Sequence, residues 1–154
     1  VTDCLVCSEN ARTDLPPRER IVVTEHWRVA HAFDTSLRGW LVIDALPHVT
    51  ALDELPPTAH TELGELLGRL SAALRAETGC EKTYVMQYSE AAGFEHLHVH
   101  VVPRMADLPE DARGTAVFRY LGPGAEGEHV GPDDRDAIAL RLAARLRPGG
   151  RPGR

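Results

Sequence analysis

The run His96-Leu97-His98-Val99-His100-Val101-Val102-Pro103-Arg104 constrains the fold more than any other segment of this chain. Its intervening residues are apolar and β-favouring, so it reads as a strand. A period of two puts the imidazoles of His96, His98 and His100 on one face, ~6.6 Å apart per step, and Leu97, Val99 and Val101 on the other. The fold must therefore contain a sheet with one face packed into a core and the other carrying imidazoles. Three such rings in register can bind a metal, handle protons or attack phosphorus.

The other elements fit around that strand. Ile21-Val22-Val23 and Trp27-Arg28-Val29-Ala30 read as two short strands, and Trp40-Leu41-Val42-Ile43 follows a turn at 34–39 as a buried one. Pro56 and Pro57 lead into a helix expected from Thr58 to Glu77, with Leu63, Leu66, Leu67, Leu70 and Leu74 as one apolar stripe and Gly79 as its C-cap. The stripe reads as core packing. Tyr84-Val85-Met86-Gln87-Tyr88 supplies a further strand, and the loop Ser89 to Glu95 delivers the chain to the histidines. After Arg104 comes an irregular Gly-, Pro- and acid-rich stretch, interrupted by Val117-Phe118-Arg119-Tyr120. A last helix is expected over Asp133 to Leu146, with Ile138, Leu142 and Leu146 in step. This order predicts an α+β domain over residues 1–146, an antiparallel sheet with the long helix packed against it. Residues 147–154 are expected to form a disordered tail.

Composition narrows the function classes. A formal charge of -6 across 154 residues argues against a nonspecific nucleic-acid binder, though not against a small nucleotide in a locally positive pocket. No apolar run approaches the ~20 residues of a membrane span. The opening Val1-Thr2-Asp3-Cys4 lacks the basic flank and apolar core of a signal peptide, so a cytoplasmic setting away from membranes is expected. Three cysteines, Cys4, Cys7 and Cys80, speak against a secreted disulfide scaffold.

Cys4-Leu5-Val6-Cys7 has the half-site spacing of a zinc knuckle. Two further ligands must come from distant sequence, and His48, just after a strand, and His96 are the strongest candidates. Cys80 has no second cysteine nearby and reads as a buried thiol. Within the histidine face, His98 is the central ring, competent as a nucleophile toward phosphorus if its other nitrogen is fixed by a hydrogen bond. His100 lies beside it, placed to donate to a phosphate oxygen. Arg104 closes the strand, either to face a phosphate or as a surface arginine. The rival reading is a catalytic metal held jointly by His96, His98 and His100.

In order and spacing, Cys4 to Arg104 resembles the histidine triad family. The match rests on His96-Leu-His98-Val-His100-Val-Val with Pro103-Arg104 after it, on Gly39-Trp40-Leu41-Val42-Ile43 running to His48, on the long helix, and on Met86-Gln87 ahead of the triad. The resemblance implies a nucleotide-binding hydrolase or nucleotidyl transferase, acting at the α-phosphate through a covalent nucleotidyl-histidine. His98 matches the nucleophile and His100 the partner that contacts the phosphate or leaving group. It also implies a structural zinc on Cys4, Cys7, His48 and His96, a purine nucleotide or conjugate as ligand, and a homodimer. Trp40 stands where many members carry an additional histidine that orients the others, and is read as core or pocket wall. Ala92-Gly93-Phe94 occupies the stretch where a polar residue often precedes the triad, leaving Gln87 or Ser89 to take its place. The ribose-holding position of the family falls near Ala32, and Asp34 is the candidate for that role with the turn shifted. The alternatives are a nearly inactive nucleotide-binding dimer and a metal-dependent phosphoesterase.

Overall fold

The computed structural model describes residues 4–147. The expected tail, apart from Arg147, lies outside the described residues. Five antiparallel strands form one sheet in the order β1-β2-β3-β5-β4. They are β1 (Val22–Val23), β2 (Trp27–His31), β3 (Leu41–Ala45), β4 (Lys82–Met86) and β5 (His98–Arg104). Three helices accompany them: α1 (Leu5–Asn10), α2 (Pro57–Thr78) and α3 (Pro132–Leu146). The fold class is α+β, as the pattern of elements implies.

Alternation assigns the two faces. Trp27, Val29, Leu41, Ile43, Leu97, Val99 and Val101 point to one side and pack against Leu66, Leu70 and Leu74 of α2 and Ile138 and Leu142 of α3. Both helices thus share a face, which is where the sheet's aliphatic alternation becomes the main core. α2 begins with Pro57 at its first position, where a missing N–H costs nothing, and ends at Gly79, whose φ of 71° suits the left-handed cap. The Trp27 indole fixes the helix on the sheet by donating to the Ala59 carbonyl at 3.0 Å.

The opposite face carries a second, smaller apolar layer, in which Trp40, Ala32 and Val102 meet Leu108, Ala112 and Val117. The covering residues come from the segment after β5, through 3-10 turns at Glu110–Ala112 and Gly114–Tyr120. An isolated bridge between Thr35 and Leu121 ties that segment to the turn after β2.

Among the element boundaries that differ from the pattern-based expectation, two bear on the histidine strand. β5 begins at His98, because His96 sits in a bend whose ring turns toward α1. β4 lies two residues earlier than Tyr84–Tyr88, because Ser89 adopts φ 54° and uses its hydroxyl to accept from the His98 N–H at 3.1 Å. That contact takes the chain out of ladder pairing.

Gly39 closes the turn before β3 with φ 90°, and a Cβ there would lie 3.3 Å from both Ile138 Cδ1 and Leu74 Cδ2. Gly39→Ala should cost about 2 kcal/mol, from the left-handed backbone and the crowded junction of the two helices. Gly64→Ala, on the open side of α2 where a Cβ meets nothing within 4 Å, should instead gain about 0.5–1 kcal/mol. Urea denaturation of the two variants reads both signs; an unaffected Gly39→Ala would contradict the packing described.

Candidate functional site

α1 is only six residues long and is not held by its own helicity. It is held by Asn10, whose amide donates to the Ala45 carbonyl at 2.9 Å and accepts from Arg28 Nε at 2.7 Å. Docked there, Cys4 at the N-cap and Cys7 in the first turn face the end of β3 and the bend before β5. Cys4 Sγ lies 3.4 Å from His96 Nδ1, Cys7 Sγ 3.5 Å from the same atom, and Cys7 Sγ 3.2 Å from His48 Nδ1. All four ligand atoms fall within 4.8 Å of one another. A tetrahedral zinc with its usual Zn–S and Zn–N bonds needs ligand–ligand edges of roughly 3.3–3.8 Å. His96 is prepared for such a role, since its Nε2–H donates to the Ala45 carbonyl at 2.7 Å and leaves the Nδ1 lone pair toward the sulfurs. The two-sulfur, two-nitrogen set suits a borderline-soft tetrahedral metal held without an open position.

His98 stands on the other side of that bend. Its Nδ1–H donates to the His96 carbonyl at 2.7 Å, so its proton is placed and the Nε2 lone pair is left free. Ser89 lies beneath, accepting from the His98 backbone N–H and, at 3.1 Å, from the Gln87 side-chain amide. Gln87 and Ser89 therefore support the strand that presents His98. His100 follows on the same face, its ring edge-on to His98 with centroids 4.9 Å apart. It is 7 % exposed, and burial, then the neighbouring His98, lowers its pKa to about 3. A ring so placed stays neutral.

Trp40, expected to line a nucleotide pocket or the core, is fully buried. It reaches the site through His100, with Nε1 at 3.1 Å from His100 Nδ1. Phe118, in the Gly114–Tyr120 turn, packs edge-on against both His100 and Trp40. Tyr88 extends this aromatic wall outward against Phe118.

The three histidines do not converge. His96 turns to the cysteines while His98 and His100 stay with the sheet face, which removes the reading of a metal held jointly by all three. Among the described residues, the Cys4-Cys7-His48-His96 group is the one that gathers metal ligands. Asp34 occupies a turn at φ 49°, its carboxylate 3.8 Å from His129. Arg104 lies at the far end of β5, paired with Glu81.

Three buried ionisable residues escaped the sequence reading. Arg28 and Asp44 form an ion pair at 2.6 Å, 3 % and 5 % exposed, and Asp44 is the register partner of His98. Burial pushes the Asp44 carboxyl up, and Arg28, then His98, pull it back. Opposite charges in the middle of two neighbouring apolar strands were the available signal. His31 is the third. Its Nδ1–H donates to the Ala32 carbonyl at 2.8 Å and its Nε2 accepts from the Gly39 N–H at 2.9 Å.

Burial lowers the His31 pKa from 6.5 to about 4. Below pH 6.5 the unfolded chain takes up a proton that the folded one refuses, so this contribution to stability falls as pH drops and is gone by about pH 4. Between pH 7 and 5 the loss should be about 2 kcal/mol. Urea denaturation at the two pH values, with His31→Gln as reference, measures it; equal pH slopes in parent and variant would contradict the buried neutral ring.

No protein-family model matches the sequence, and no curated protein matches it. Similar solved structures do exist. A Zn-bound histidine triad family protein from Mycobacterium smegmatis shares 19% identity, with 92% of this chain and 94% of that one covered at a TM-score of 0.62. A hypothetical histidine triad nucleotide-binding protein from Sulfolobus tokodaii shares 16% identity, with 93% and 96% covered at 0.66. A Hit-like protein involved in cell-cycle regulation from Bartonella henselae, solved with an unknown ligand, shares 17%, with 82% and 85% covered at 0.63. With these neighbours, and with His98 and His100 presented side by side on the strand that follows the His96 bend, the chain has the fold of the histidine triad proteins.

Proposed function

We propose that this protein belongs to the histidine triad family and is a nucleotide hydrolase or nucleotidyl transferase with His98 as its nucleophile. The observation that carries the reading is the 2.7 Å hydrogen bond from His98 Nδ1 to the His96 carbonyl, which leaves Nε2 as the free, correctly oriented nitrogen. The substrate is a purine nucleoside monophosphate with a leaving group on its phosphorus: a phosphoramidate, a dinucleoside polyphosphate or a nucleotide sugar. His98 Nε2 forms a bond to the α-phosphorus as the bond to the leaving group breaks; the electron pair departs with that group, which takes up a proton from the neighbouring network and solvent. Water then attacks the same phosphorus, the N–P bond breaks, and nucleoside monophosphate is released with the proton passing to solvent. In transfer, a second acceptor replaces water. The ring keeps its Nδ1–H on the His96 carbonyl throughout, and His100 donates to a non-bridging phosphoryl oxygen.

Asp34 supports a ribose site. The exposed Phe33–Phe94 ring pair, 6.0 Å apart in segments flanking Asp34 and the triad, offers an apolar surface to the base. Arg104 is left out of the scheme because Glu81 occupies it. The metal is structural zinc on Cys4, Cys7, His48 and His96; when bound it supplies no chemistry to the substrate and fixes the bend whose carbonyl orients His98. The donor set and the Zn-bound neighbour support this. A homodimer is supported by edge strand β4, where Val85 stays half exposed beside α2. No described helix is long and apolar enough to cross a membrane.

His98→Ala should abolish release of adenosine monophosphate from adenosine 5′-phosphoramidate, with a loss of at least about a thousandfold, while zinc content stays unchanged. Turnover retained by the variant would rule out the covalent scheme, and nucleotide binding without turnover by the parent would favour a binding protein. Elemental analysis should find one zinc per chain in the parent and none in Cys4→Ser/Cys7→Ser. That double variant should also lose several kcal/mol of stability, since ligand binding to the folded state alone is folding free energy. Stoichiometric zinc in the double variant would place the metal elsewhere.

A further inference from the structure

We propose that Trp40 is a positioning residue, which sets the tautomer of His100 and holds it as a neutral Nε2–H donor aimed at the bound phosphoryl group. The proposal deepens the reading of His100 as the phosphate partner and rests on it for its function, but the tautomer itself is a property of the free protein.

The geometry leaves one assignment. Trp40 Nε1 and His100 Nδ1 are 3.1 Å apart, and an indole nitrogen can only donate. His100 Nδ1 must therefore present its lone pair, which puts the ring's single proton on Nε2. A doubly protonated ring would set N–H against N–H across the same 3.1 Å. The arrangement is fixed from both sides. Val42 is the register partner of His100, so Trp40, two residues earlier in the chain, reaches His100 along the diagonal of the ladder. Phe118 closes the other side, its ring 5.1 Å from His100 and 5.5 Å from Trp40 by centroids, both edge-on. Trp40 itself has no solvent-exposed surface and no room to swing away. The burial that holds His100 well below its ordinary pKa agrees with this neutral state.

The two imidazoles thus have opposite tautomers, set by opposite partners. A backbone carbonyl accepts from the Nδ1–H of His98 and leaves Nε2 free to attack; an indole N–H donates to Nδ1 of His100 and leaves Nε2–H to donate. His100 brings a hydrogen bond to the phosphoryl oxygens but neither a charge nor a proton for the leaving group.

The test is long-range 1H–15N correlation of the histidine rings in the uniformly 15N-labelled, zinc-loaded protein at neutral pH. His100 should show the Nε2–H pattern, with a through-hydrogen-bond 15N–15N coupling between Trp40 Nε1 and His100 Nδ1. In Trp40→Phe, which keeps an aromatic ring but has no N–H, His100 should become a mixture of tautomers, and kcat on the phosphoramidate should fall about tenfold, the worth of one hydrogen bond. An Nδ1–H pattern in the parent, or a Trp40→Phe variant that keeps a pure Nε2–H ring, would overturn the proposal. If Trp40→Phe does not fold, the coupling in the parent decides, its absence counting against. A parent with the expected tautomer and coupling but no turnover of any nucleotide would defeat the catalytic reading and leave the tautomer assignment standing.

Discussion

The carbonyl oxygen of Ala45 holds two parts of the molecule at once. It accepts from His96 Nε2 at 2.7 Å and from the Asn10 amide at 2.9 Å. The first bond selects the His96 tautomer that faces the cysteines; the second docks the short helix that brings the cysteines there. His96 in turn offers its own carbonyl to His98. The end of β3, a bend and the start of β5 therefore form a relay of backbone acceptors, each fixing one imidazole. Carbonyl oxygens cannot ionise, so the acceptor side of the relay does not depend on pH.

Around this relay the protein manages charge by burial and pairing. Arg28 and Asp44 lie on the same sheet face as His98, removed from water, and neither could remain there without the other. Arg28 also donates to the Glu19 carbonyl at 2.8 Å and to Asn10, so one guanidinium joins the segment leading into β1, helix α1 and strand β3. The pair marks where the apolar alternation of β2 and β3 gives way to polar fastening. On the helix-packed side, by contrast, His31 is buried in a largely aliphatic layer, with both ring nitrogens satisfied by backbone.

What could be read from the sequence was what depends on local repetition. The alternation through Val101 and the Leu63–Leu74 stripe fixed a two-faced sheet and a long helix to within a residue or two at the helix ends. The Cys-x2-Cys spacing with His48 and His96 named the four residues that come together. Other contacts outside local repetition were not readable. Ser89 ends β4 through a bond to His98, nine residues away, and nothing in Tyr84-Val85-Met86-Gln87-Tyr88 signals it. Phe118 sat in a stretch with no periodicity, and only the fold brings it to His100. Trp40 was visible as a substitution at a meaningful place, but its role depends on which atom its indole nitrogen meets.

The apolar cover over Trp40 and Val102 comes from the stretch of chain that leaves the sheet after Arg104 and rejoins it at the Thr35–Leu121 bridge. The helices on the other side come from entirely separate stretches, so the two layers share the sheet but no residues. The wall around the imidazoles can therefore differ in length and composition without altering the packing of the sheet against α2 and α3.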